Sequence, residues 1–290
     1  MIHIGLSSYS LFMALHSGRL DIFGAIRFAA ENGAENIEIV PGGPLTVNEE
    51  NADAIREAVR SAGMTVSSYS IAADFLKPSA DERRAEKDRV KREVEIAARL
   101  GTTRMRHDCG GRTGDANTQE NFEADFPVIA DSCGEIADWA ERFGIVTSVE
   151  NHGFYMQGSE RLRRLVVAVG RANFRTTLDV GNFLCFDEDP FSAVMNNLPY
   201  ASMIHFKDFH IRGRNMPPPQ PDKGYIRTLH GRFIRGAVTG DGDIDLDGIA
   251  RLIRQSGYDG CLSVEFEGWG DCLEASARAL RNVRNIFDRI

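Results

Sequence analysis

Residues 144–150 read Gly144-Ile-Val-Thr-Ser-Val-Glu150: a glycine, a run rich in β-branched residues, and a carboxylate at its end. The run favours a strand, and the helical-looking segment 121–143 comes just before the glycine. A helix that stops needs a residue in the left-handed region, which glycine adopts without steric cost. The same order recurs at Gly33, Gly63, Gly101, Gly170 and Gly257, each between a helical segment and a β-rich run. This rhythm decides the fold.

Working outward, the β-rich runs are 2–7, 36–40, 64–70, 103–107, 145–150, 174–179, 201–206 and 261–266. Helical faces are carried by Ile22, Ala25, Ile26 and Ala29, and by Ile55, Ala58, Val59 and Ala62, with Thr46 to Glu49 reading as a capping box before the second. Further helices are expected near 81–100, 121–143, 159–169, 189–197, 246–256 and 271–289. Eight strands alternating with eight helices predict parallel strands, right-handed crossovers and an α/β fold, a single-domain (β/α)8 TIM barrel over 1–290. An open doubly wound sheet is the alternative. One connection is long: residues 208–245, with Pro217, Pro218, Pro219 and Pro221 and several arginines, are expected to form a loop over the barrel mouth.

A net charge of −8 repels phosphate backbones and anionic lipid, so no nucleic acid and no membrane partner is expected. No apolar run approaches the about 18 residues of a membrane span. Five cysteines without a Cys-x-x-Cys pair suit reduced thiols, and with no signal-like start the reading is cytoplasmic. The expected partner is a small molecule, and a homo-oligomer is left open.

Barrel active sites form at the C-terminal ends of strands. Four successive runs end Val149-Glu150, Leu178-Asp179, Ile204-His205 and Val264-Glu265. The aliphatic residue of each pair should face the helices, so the pleat turns Glu150, Asp179, His205 and Glu265 into the mouth. Three converging carboxylates repel unless a cation joins them. Oxygen-rich ligation with one imidazole suits one divalent ion, Mn2+ first, with Mg2+, Co2+ or Zn2+ as alternatives.

At these residues the chain resembles the xylose isomerase-like sugar isomerase/epimerase superfamily. The resemblance is carried by Ser-Val-Glu150-Asn-His-Gly, Leu-Asp179-Val-Gly-Asn, Ile-His205-Phe-Lys-Asp208, Gly240-Asp-Gly-Asp-Ile-Asp and Val-Glu265-Phe. It implies a Glu-Asp-His-Glu metal site and substrates that are sugars, keto-sugars or inositol derivatives. Tagatose- and psicose-type 3-epimerases carry a glutamate, a histidine and an arginine where this chain has Met156, Asn182 and Ile211. Inosose dehydratases are more similar around His205-Phe-Lys207-Asp208. Endonuclease IV shares the superfamily, but its metal cluster needs a histidine where Asn182 stands, and the acidic charge opposes DNA.

His152, two residues beyond Glu150, reads as a proton shuttle or a loop cap, and Lys207 as a group that steadies an enolate or pairs with Asp208. Glu38 points inward on the second strand, toward substrate or toward Arg104 or Arg106. His107, Asn182 and Asp208 complete the candidate substrate contacts. The expected chemistry is proton abstraction beside a carbonyl, with Glu150 and Glu265 as base and acid, giving an isomerase or epimerase. Loss of a β-substituent from the same enolate would make a lyase, of the inosose dehydratase or 3-keto-glycoside-cleaving kind. A partner-dependent barrel subunit, docking through the proline-rich segment, is the reading from a different class.

Overall fold

A computed structural model describes residues 1–220 and 223–290. Eight parallel strands close into a barrel: β1 (His3–Ser7), β2 (Asn36–Ile39), β3 (Thr65–Ile71), β4 (Arg104–His107), β5 (Val146–Glu150), β6 (Phe174–Asp179), β7 (Ala201–Phe206) and β11 (Cys261–Val264). β11 pairs with both β7 and β1, which completes the ring. Eight helices wrap it: α2 (Ile22–Glu31), α3 (Ala52–Ser61), α4 (Ala80–Arg99), α5 (Gln119–Glu141), α6 (Ser159–Val169), α7 (Pro190–Asn197), α8 (Leu246–Gln255) and α9 (Cys272–Asp288). A short α1 (Phe12–His16) precedes them. The barrel is the expected one, and the open sheet is excluded.

All six helix-ending glycines have positive φ, from 60° at Gly170 to 77° at Gly33. The outward aliphatic residues Val149, Leu178, Ile204 and Val264 are buried in the layer between strands and helices. That layer is the main apolar core, and its burial is the chief favourable term in folding.

Two expectations need correction. The capping box is not at Thr46–Glu49. α3 begins six residues after Thr46, with Asn51 at its N-cap and no side-chain cap bond. The Asn48 and Asn51 side chains instead bond to the backbone of the turn before it, the local competition that asparagine offers a helix start. The capping box of the chain joins Ser79 and Glu82 at the start of α4.

The second correction concerns 208–245, expected as a defined cover over the mouth but without strands of its own. β8 (Asp208–Arg212), β10 (Phe233–Ala237) and β9 (Ile226–Arg227) form an antiparallel sheet beside the mouth. The Asp208 carboxylate accepts from the backbone N–H groups of Phe209, Gly240, Gly242 and Ile244 at 2.8–3.3 Å. It thereby ties the two ends of the segment together. At Gly236 a Cβ would sit 1.7 Å from the Glu267 carbonyl oxygen, so only glycine lets β10 lie against the loop after β11. Pro221 and Asp222 lie outside the described residues. Among the described residues no helix is long and apolar enough to cross a membrane.

Candidate metal centre

Glu150 ends β5, Asp179 ends β6, His205 sits one residue before the end of β7, and Glu265 follows β11 with its N–H bonded to Phe206 O. Parallel pairing sets Asp179 opposite His205, and Ser263 opposite His205. The inward parity of the pleat then brings all four side chains together. One ligand atom from each of Glu150, Asp179, His205 and Glu265 lies within 4.8 Å of the others, and all four residues are buried.

His205 Nδ1 stands 3.6 Å from Glu150 Oε1, 3.7 Å from Glu265 Oε1 and 4.0 Å from Asp179 Oδ2. Nδ1 has no hydrogen-bond partner although it is fully buried, and Asp179 Oδ2 meets only the Lys207 ammonium, at 3.3 Å. Buried polar atoms are rarely left so. Two ligands across one ion stand about 4 to 5 Å apart, twice a bond of about 2.0–2.4 Å, so the cluster has the right size for a shared cation.

The charges say the same. Four buried carboxylates, Glu38, Glu150, Asp179 and Glu265, share this interior with two buried cations, Arg106 and Lys207. Burial disfavours charge on His205, but Glu38, Glu265 and Glu150 raise its pKa well above the ordinary value, and even with its proton one negative charge stays unmatched. A divalent ion that displaces the proton restores the balance. Burial opposes charge on Glu150, but Arg106 and His205 hold its carboxyl well below the usual range. Asp179 is pushed up to about 6, first by burial, with Lys207 opposing and Glu150 and Glu265 adding to the rise. Burial likewise disfavours the charge on Lys207, yet Asp179, Glu265 and Glu267 raise its pKa well above the ordinary value.

Lys207 is buried beside the cluster. Its Nζ is 2.8 Å from Glu265 Oε2, 3.1 Å from Glu267 Oε2 and 3.3 Å from Asp179 Oδ2, so it does not pair with Asp208. His152 lines the central cavity, half exposed, with Nδ1 3.5 Å from Asp108 Oδ1. That hydrogen bond raises its pKa against the effect of burial.

The four candidate substrate contacts fare differently. Glu38 points inward as expected but is fully buried beneath the cluster, 3.0 and 2.8 Å from His205 Nε2. Its partners are His205 and the Ser70 hydroxyl rather than Arg104 or Arg106. Asn182 is buried with its amide spent: Nδ2 donates to Glu150 Oε1 at 2.9 Å, and Oδ1 accepts from Lys207 at 3.4 Å. Asp208 is the clasp already described, with its carboxylate filled by backbone N–H groups. His107 is not at the mouth at all. It faces outward from β4, fully buried between Phe75 and Phe174, and its Nδ1 donates to Asp108 O at 2.8 Å.

Residues that sequence reasoning did not place in the site are Arg106, Tyr9 and Glu267. Arg106 Nε is 3.0 Å from Glu150 Oε2, and its Nη2 is 2.9 Å from Asp108. The Tyr9 hydroxyl donates to Glu267 Oε1 at 3.0 Å. A parity signal existed for two of them. Glu267 lies two beyond Glu265, as Lys207 does beyond His205, and Arg106 alternates with Met105 and His107.

Two expected outcomes arise from these contacts. Glu38 orients the histidine through the ring nitrogen that faces away from the cluster, so Glu38→Gln should weaken Mn2+ binding about 10–100-fold while the barrel stays folded. Calorimetric titration with Mn2+ showing unchanged affinity would remove that role.

For His107, burial pushes the pKa down to about 4 from an unfolded value of 6.5. Between those values the unfolded chain binds a proton that the folded chain refuses. Stability is therefore lost as pH falls from 7 to 4, by about 3 kcal/mol from this group. A His107→Phe variant should show an acid-side decline smaller by about 2 kcal/mol in urea titrations at pH 7 and 4.5. Identical declines in variant and parent would refute it.

An inosose dehydratase from Lacticaseibacillus casei is 28% identical over 144 residues, 48% of this chain and 46% of the relative. The matched stretch thus spans about half the length of that curated relative. Among solved structures, a probable 3-DHS dehydratase involved in petrobactin synthesis from Bacillus anthracis superposes with a TM-score of 0.75 at 16% identity, covering 98% of this chain and 99% of that one. A 3-keto-D-glucoside 4-epimerase from E. coli gives 0.74 at 17%, covering 98% and 100%. At such identities these two speak for the fold. The xylose isomerase-like TIM barrel profile matches residues 26–283, nearly the whole barrel. The chain belongs to the xylose isomerase-like TIM-barrel family.

Proposed function

We propose that this protein is a divalent-metal-dependent isomerase or epimerase of a sugar or keto-sugar, acting by moving a proton beside a carbonyl. The observation that carries this reading is the buried cluster of Glu150, Asp179, His205 and Glu265, with a His205 Nδ1 that has no hydrogen-bond partner. These four residues would hold the ion, Mn2+ first among the choices that the donor set suits. When bound, the ion supplies Lewis-acid polarisation of substrate oxygens.

The rest is the work of the chain's own groups. Glu150 and Glu265 both line the central cavity, and each has its own cation, Arg106 at 3.0 Å and Lys207 at 2.8 Å. Two carboxylates so held can take a proton from one side of a substrate carbon and return it from the other. The Lys207 ammonium lies beside Glu265 in the same cavity, where it steadies negative charge developing on a substrate oxygen. The cavity is about 140 Å³, and its buried walls limit the water that could quench an enolate.

A lyase is the second reading. It is favoured by His152, which stands half exposed at the cavity wall two residues from Glu150, a place from which it can give a proton to a departing β-hydroxyl. The likeness to inosose dehydratases supports it as well. Proton NMR in D2O with Mn2+-loaded protein and a panel of ketoses, inososes and 3-keto-glycosides tests both. Solvent exchange beside the carbonyl indicates enolisation, a changed coupling constant epimerisation, and lost water or a freed aglycone elimination. No exchange and no product with any member of the panel would overturn both readings.

A further inference from the structure

Resting on the carbohydrate reading above, we infer that the substrate is a glycoside whose second ring lies in an aromatic pocket next to the metal centre. A cavity of about 340 Å³ opens between the turn after β1, the loop after β11 and strand β9. Its walls carry Phe12, Tyr225, Phe266 and Trp269. Tyr9 and Glu267 line it too, and they also line the central cavity, so the two spaces meet at this pair.

The two spaces differ in chemistry. The central one presents Arg106, Glu150, His152, His205, Lys207 and Glu265, which suit a ring with a carbonyl and hydroxyls. The neighbouring one has a single charged wall residue, Glu267, whose oxygens are already engaged by Tyr9 at 3.0 Å and Lys207 at 3.1 Å. What is left there is ring surface. Trp269 is 68% exposed and Ile226 45%, and large apolar side chains grouped at the rim of a reaction centre mark a place where ligand replaces water.

The platform is preformed. A Cβ on Gly224 would come within 1.9 Å of Trp269 Nε1, so only glycine there lets one side of the indole lie against the backbone. A rigid aromatic face takes a flat partner at low entropic cost. That partner is either the C–H face of a pyranose or an aryl ring, joined through a glycosidic oxygen to the ring being processed. A free monosaccharide filling the central cavity would leave the aromatic pocket empty of ligand.

Binding of unreactive probes tests this without turnover. The chain has two tryptophans, and Trp139 lies on α5 under the Arg142 guanidinium. In a Trp139→Phe background, Trp269 emission would be followed with Mn2+ present during titration with D-glucose, cellobiose and phenyl β-D-glucoside. Cellobiose or phenyl glucoside should shift the emission to the blue and saturate at a concentration at least about tenfold below glucose, a gain of about 1.4 kcal/mol. A response to cellobiose alone identifies a sugar ring, and one to the phenyl glucoside alone an aryl group. By calorimetry on the otherwise unchanged chain, Trp269→Ala should abolish the glycoside preference and leave glucose affinity as it was.

Equal affinity for glucose and both glycosides would overturn the inference, as would a preference that survives Trp269→Ala. It also falls if Trp269→Ala changes only the sedimentation behaviour, because the aromatic face would then join copies of the chain. Failure of the NMR exchange experiment would remove the proposed reaction but leave this binding comparison to stand or fall alone.

Discussion

Asp179→Asn is expected to leave the barrel folded while stripping it of its divalent ion and its turnover. Asp179 Oδ1 accepts from the N–H groups of Gly181 and Asn182 at 2.7 and 2.9 Å, shaping the turn after β6. Asparagine retains an oxygen for those bonds. The other atom, Oδ2, faces His205 Nδ1 at 4.0 Å and the Lys207 ammonium at 3.3 Å. In the variant an amide nitrogen without a free lone pair takes its place. The measurement is metal content together with thermal unfolding. Mn2+ at about a thousandfold excess over its Kd should stabilise the parent by about 4 kcal/mol, which at about 2–4 °C per kcal/mol raises Tm by roughly 10 °C. EDTA should reverse the rise in the parent, and the variant should show no rise. A parent indifferent to EDTA, or a variant with full metal and full turnover, would end the metal reading.

Much of the fold and the centre of the site were legible because the signals involved are local or periodic. Gly33, Gly63, Gly101, Gly144, Gly170 and Gly257 mark helix ends through a backbone angle that side chains disfavour, and all six have it. Alternation on β5, β6, β7 and β11 turns four polar residues inward, and the same alternation extended to β4 would have placed Arg106 inside and His107 outside. Partnerships across the barrel were not legible. Nothing in the sequence says that Glu38 and His205, 167 positions apart, share a hydrogen bond. Asp208 was expected among the substrate contacts, yet its carboxylate is filled by N–H groups brought back by residues 240–244. The antiparallel strands in 208–245 were hidden because β9 has two residues, β10 reads Phe-Ile-Arg-Gly-Ala without alternation, and the alternating β8 follows β7 after a single residue.

Glu150→Gln and Glu265→Gln are expected to cut turnover by about a hundredfold or more each, the scale of a lost acid–base group. Glutamine keeps a carbonyl oxygen for an ion but cannot carry the proton. The surroundings of the two residues argue that they are not interchangeable. Glu150 is held on both oxygens, by Arg106 at 3.0 Å and by Asn182 at 2.9 Å, whereas Glu265 is held by Lys207 at 2.8 Å. Epimerisation needs a group on each side of the reacting carbon. Each variant should therefore still exchange the substrate proton with D2O for one epimer, through the remaining carboxylate, while net conversion fails. The two variants should show this for opposite epimers. The readout is deuterium incorporation set against product formation, with metal content measured in parallel. If both variants retained near-parental turnover with metal bound, neither carboxylate would be a proton carrier. Loss of exchange for both epimers in one variant only would instead assign the whole proton transfer to that residue, as a one-base elimination requires, and would favour the lyase.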